Sequence, residues 1–140
     1  MGVLQAFLHP IFVEETKEVV ISKRFVGEDV KPAPCVIRTI TQEQNNKLMK
    51  ANTRAKVVNG QRVEIFDNAG YTNSLILACT VQPDFEDEEM CKTYGCVDPK
   101  NVPEKMLYGG EYSTLAQEIL QFNGFDSDRK VRDEEESKNS

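Results

Sequence analysis

Tryptophan is absent from this 140-residue chain, and histidine occurs once. No stretch approaches the roughly 20 apolar residues that a membrane-spanning helix needs. The four cysteines, Cys35, Cys79, Cys91 and Cys96, form no CxxC pair, and their spacing matches no common zinc ribbon or finger. They are expected to be small buried hydrophobes, with no metal bound. The lone histidine, His9, lies beside Pro10 near the start, a poor place for a general base. Neither GxGxxG nor a Walker glycine run is present, so phosphate-cradling loops are not expected.

Positive charge is also scarce. Seventeen Lys and Arg stand against 23 Asp and Glu, a formal net charge of −6. Sequence-independent nucleic-acid binding needs a concentrated basic face, and docking on an anionic membrane needs the same, so neither partner is expected. The opening residues, MGVLQAFLHPIFV, carry no basic n-region and are interrupted by Pro10, unlike a signal peptide. Ala6 stands where N-myristoylation expects Ser or Thr. The chain is therefore expected to work in the cytosol.

The acidic run Asp84, Glu86, Asp87, Glu88 and Glu89 invites a calcium reading, which fails on spacing. Counted from Asp84, position 6 of an EF-hand loop would be Glu89 and position 12 would be Gly95, where Gly and Glu are required. Acidic residues at a helix start are expected for dipole reasons alone. With no catalytic residues, no cofactor site and no metal site to name, the chain is expected to bind rather than catalyse.

The most informative segment is Lys105 to Asp126. Tyr112, Leu115, Ala116, Ile119 and Leu120 recur at helical spacing on one face. Gly109-Gly110 opens the helix, Glu111 meets its positive end, and Gly124 can take positive φ to close it, with Phe125 folding back on Leu120. Upstream, Lys17–Phe25 and Cys35–Ile40 read as an antiparallel hairpin, and Thr41 with Gln44 forms a capping-box pattern. Asn59-Gly60 signals a second, smaller hairpin or a loop. Asp67 is a good N-cap for a helix from about Asn68 to Val81, apolar all round from Leu75 to Cys79; a buried strand over LILACTV is the alternative. Met90, Cys91 and Tyr94 mark a short helix stopped by Gly95, and Pro103 suits the start of a brief turn.

The expected fold class is α+β: an antiparallel hairpin or small sheet packed by about four helices. Residues 1–125 form one domain that begins with an arm at 1–16. Val3, Leu4, Phe7 and Leu8 of that arm make either a strap on the core or a partner-binding hook. Residues 126–140 carry charges of both signs and one apolar side chain, Val131, a composition expected to stay disordered. Leu75, Leu77, Cys79, Leu115, Ile119 and Leu120 are the expected core.

The order of landmarks resembles the XkdN-like tail assembly chaperones of long-tailed bacteriophages and related prophages. The residues concerned are LQAFLHP, KRFVGED, IRTIT, ACTVQPDFEDEEMCKTYG, KMLYGGEY and LQFNGFD. The resemblance runs from Leu4 to Asp126 and weakens between Ala55 and Asp67. It implies a non-enzymatic assembly factor that binds the tape-measure protein, keeps that long helical chain soluble and helps recruit tail-tube subunits. It also implies residence in the bacterial cytoplasm and absence from the mature virion, and it transfers no catalytic residue. A tape-measure segment exposes apolar helical faces, so helix-in-groove contact would suit the task. Phe7, Leu8, Phe85, Met90, Tyr94, Met106 and Tyr108 are the candidate partner-binding residues. A minor virion or tail-completion protein, and a phage adaptor that binds a host protein, are the alternative readings.

Overall fold

The computed structural model describes residues 2–11 and 15–125. The expectation for the tail at 126–140 falls outside them. The described chain is α+β. In order it runs α1 (Val3–Leu8), β1 (Thr16–Val19), β2 (Cys35–Arg38), α2 (Gln42–Ala51), β3 (Thr53–Val58), β4 (Gln61–Phe66), α3 (Asn68–Cys79), β5 (Thr80–Gln82), α4 (Glu88–Thr93), a 3-10 turn (Pro99–Asn101), α5 (Val102–Met106) and α6 (Gly109–Phe122). Strands β1, β2 and β5 form one antiparallel sheet in that order, and β3 pairs with β4 in a separate hairpin.

Local chemistry accounts for several helix ends. The Thr41 side chain accepts from Gln44 N–H while the Gln44 side chain accepts from Thr41 N–H, the reciprocal cap of α2. Asp67 accepts from Gly70 N–H at 2.9 Å and caps α3. Gly70 has a second role there, since a Cβ on it would lie 2.5 Å from Asn52 Oδ1 and from the Asp67 carboxylate. Gly124, at φ 78°, follows α6.

Two boundaries differ from the sequence expectation. The first strand ends at Val19 instead of Phe25, because the ladder with β2 covers only Thr16 to Val19. Beyond it the chain leaves the sheet, and Ile21 and Phe25 pack on the core from an irregular segment. The helix expected to reach Val81 stops at Cys79, and Thr80–Gln82 becomes β5 against Val36 and Ile37. Pro83 pushes the residue before it toward extended backbone, and β-branched Thr80 and Val81 suit a strand. Helix and strand therefore share the segment LILACTV.

The core lies where α3 and α6 pack together over β2. Leu75, Cys79, Leu115 and Ile119 are buried in it as expected, whereas Leu77 and Leu120 are half-buried at its edge. Cys35, Ile37, Ile76, Val102, Leu107 and Phe85 complete it. Polar side chains from α3 enter the interior with partners: Asn73 accepts from Tyr112 Oη and donates to Glu104, and Ser74 accepts from Asn52. Helix α3 has neighbours in α2, α6, β5 and the 3-10 turn. That is why it carries no simple apolar stripe.

Candidate functional site

Segments distant in sequence enclose a cavity of about 240 Å³ that opens to the surface. Phe85, Cys35 of β2 and Leu107 are its most deeply buried lining residues. Met90 of α4 and Tyr94 at its C-cap line it as well, with Met106 and Leu107 at the end of α5. Ile21 and Phe25, the residues that left the first sheet, contribute with Pro34 and Pro83. The lining is predominantly apolar, with two flexible, polarizable methionines among half-buried side chains.

The acidic run before Met90 builds the local framework. Asp84 accepts from Glu86 N–H at 3.0 Å, and Asp87 accepts from Glu89 N–H at 2.8 Å, so Asp87 starts α4 and aims Met90 at the cavity. Cys35 and Cys79 have thiols pushed up to about 11 by burial. Both are therefore held as neutral, weakly nucleophilic groups. Among the described residues no group of three or more His, Cys, Asp or Glu side chains is placed to hold a metal ion. No helix among them is long and apolar enough to cross a membrane.

An ion pair ties one wall to the helix start beside it. Arg24 donates from Nε to Glu111 Oε2 at 3.0 Å, from Nη2 to Glu111 Oε1, and from Nη2 to the Met106 carbonyl at 3.0 Å. Its guanidinium lies 3.8 Å from the Tyr108 ring centroid and 4.8 Å from that of Phe25. Glu111 also accepts from Tyr108 N–H at 2.8 Å, so one carboxylate caps α6 and anchors the 20–25 segment. The Arg24 hydrogen bonds, with help from Ser22 and the Tyr108 amide, hold the Glu111 carboxyl at about 2 instead of its ordinary 4.5. A carboxylate with a depressed folded-state pKa stabilises the fold above its unfolded pKa, and that contribution is lost as pH falls through the folded value. The stability gap between wild type and Arg24→Met is accordingly expected to be full above about pH 5 and to shrink steadily toward pH 2. Urea melts at several pH values would check this, and a gap unchanged down to pH 2 would remove the ion pair as its source.

Of the seven candidate partner-binding residues, Phe85, Met90, Tyr94 and Met106 meet in this one cavity. Phe85 differs from the others in being 2% exposed: it belongs to the core as well as to the cavity lining. Tyr108 is 66% exposed and stacks on Arg24 outside the cavity. Phe7 and Leu8 lie on α1 at 78% and 57% exposure, and α1 buries no residue. Helix α1 thus presents its apolar side chains to solvent instead of strapping the core. Arg24 escaped the sequence reading, since a lone arginine between Lys23 and Phe25 carries no local signal of its distant partner.

Fold and cavity together define an α+β protein with an open apolar recess beside its core. Comparison with known proteins then gives its family. The profile described as phage XkdN-like tail assembly chaperone protein, TAC, matches residues 4–138, and the chain belongs to that family. It is 36% identical to the phage-like element PBSX protein XkdN of Bacillus subtilis (strain 168) over 131 residues, 92% of this chain and 87% of the relative. It is likewise 36% identical to the uncharacterized protein YqbN of the same strain over 116 residues, 81% of this chain and 78% of that one. The crystal structure of the protein YqbN aligns with a TM-score of 0.71 at 28% identity, covering 85% of this chain and 94% of that chain.

Proposed function

We propose that this chain binds the tape-measure protein during phage tail assembly, keeps it soluble and helps recruit tail-tube subunits, acting in the bacterial cytoplasm by binding and not by catalysis. The observation that supports this most directly is the meeting of Met90, Tyr94 and Met106 in one open apolar cavity of a tail assembly chaperone. In this reading the cavity receives apolar side chains from one face of a tape-measure helix, and the exposed apolar side of α1 adds a second, adaptable contact. Residues 1–125 act as one domain, with 1–16 as its arm.

Co-expression with the tape-measure protein of the same phage or prophage, followed by pull-down and a solubility assay, tests the proposal. The wild-type chain should yield a soluble complex. Met90→Glu and Met106→Glu, which put a carboxylate into the apolar recess, should weaken it about ten-fold or more while leaving the circular dichroism spectrum unchanged. An insoluble, unbound tape measure would overturn the reading. Recovery of the chain in purified virions would then favour a tail component, and capture of a defined host protein would favour an adaptor.

A further inference from the structure

The β3–β4 hairpin stands apart from the three-stranded sheet, and all its residues are exposed except half-buried Thr53 and Ile65. It is anchored at its base, where Asp67 N–H donates to the Asn52 carbonyl at 2.7 Å and Phe66 packs 5.5 Å from Tyr71, centroid to centroid. At its tip Asn59 and Gly60 take φ 52° and 78°, the two-residue turn that matches strand twist. No strand flanks it on either side among the described residues.

The register decides which backbone groups face outward. A two-residue turn is closed by a hydrogen-bonded pair, here Val58 with Gln61. The pairs then alternate, so Lys56–Val63 and Arg54–Ile65 are hydrogen-bonded, while Val57–Arg62 and Ala55–Glu64 are not. The outward N–H and C=O groups of β4 therefore belong to Arg62 and Glu64, with Phe66 at the base of the hairpin. Those of β3 belong to Ala55 and Val57, with Thr53 at the base.

The two edges differ sharply in what they would accept. On β3, antiparallel self-pairing centred on Arg54, Ala55 or Lys56 sets a cation opposite a cation, which repels. On β4, self-pairing centred on Val63 sets Arg62 opposite Glu64 of the second copy, and Glu64 opposite Arg62, in one two-fold arrangement. These are the residues whose backbone groups are free, so the ladder and the charge pairs agree in register. The two Val63 side chains meet at the axis on the other face. Among the described residues neither Arg62 nor Glu64 makes an ion pair within its own chain.

We infer that the outer edge of β4 is a self-association surface: two copies join through an antiparallel β4–β4 ladder centred on Val63, forming a four-stranded sheet. The contact is isologous, so it closes at the dimer. A ladder of about five residues is well short of the roughly 1,200–2,000 Å² that stable complexes bury, so the dimer forms in the micromolar-to-millimolar range. The inference is independent of the apolar cavity and of what fills it.

Sedimentation equilibrium of the full chain from low micromolar to millimolar concentration provides the test. Wild type should show a monomer–dimer equilibrium. Arg62→Glu and Glu64→Arg each set like charges opposite one another twice, and each should raise the dimer Kd about ten-fold or more. The double variant R62E/E64R recreates both attractive pairs by symmetry and should return the Kd to the wild-type value. Glu64→Pro removes an outward donor without breaking the β3–β4 ladder and should abolish the dimer. A chain that stays monomeric to millimolar concentration overturns the inference. So does a dimer indifferent to both single reversals, or one that the double reversal fails to restore.

Discussion

Shortening Phe85 to alanine is expected to destabilise the fold by about 3–5 kcal/mol, the usual cost of emptying a buried phenylalanine site. The side chain is 2% exposed and sits in the cluster that also holds Ile37, Cys79 and Leu107. Its backbone is equally fixed. The Asp84 side chain and carbonyl accept from the amides of Glu86 and Asp87, and the Cys91 thiol points at the Phe85 carbonyl at 3.7 Å. One side of the ring borders the open recess, where Met90 and Met106 can move inward and recover part of the lost contact. The value should consequently fall in the lower half of the range. Urea unfolding of wild type and variant at fixed pH gives the difference directly. A loss well below about 1 kcal/mol would take Phe85 out of the core and leave it only its place in the cavity lining.

Phe85 also illustrates what local pattern can and cannot carry. A single phenylalanine between acidic residues has no periodic neighbours, so nothing in sequence distinguishes a core ring from an exposed one. It shares its buried cluster with Ile37 of β2 and Val102 of α5, which come from other parts of the chain. The same holds for β5, a three-residue strand whose existence depends on Val36 and Ile37 being alongside. Arg24 is the third case, since its partner Glu111 lies 87 residues away. By contrast, the Thr41–Gln44 cap, the Asp67 cap, the Asn59-Gly60 turn and the face of α6 were all readable, because each depends on residues within a few positions of one another. The cavity falls between these extremes. Met90, Tyr94 and Met106 could be named from their chemistry, but only the packing of α4 and α5 beside the 20–25 segment brings them into one recess.

The α6 face gives the second large effect. Ile119→Ala is expected to cost about 2–5 kcal/mol, and Ile119→Val only about 0.5–1.5 kcal/mol. Ile119 is fully buried, and around it Leu75, Ile76, Ala116 and Leu120 already line a small cavity of about 60 Å³ between α3 and α6. Removing three carbons enlarges that space. Filling it again would require α3 or α6 to shift. Both helices resist such a shift: Tyr112 bonds to Asn73 across the pair, and Asn123 reaches Ile40 N–H at 2.9 Å from the end of α6. Partial collapse is therefore limited, and the alanine variant should lie in the upper half of its range, unlike Phe85→Ala beside its open recess. Paired urea melts measure the ordering as well as the magnitudes. If Ile119→Ala cost less than about 1 kcal/mol, the Tyr112–Leu120 stripe would have to be reassigned from core to partner-facing surface, and it would compete with the recess under Met90 and Met106 as the proposed binding site.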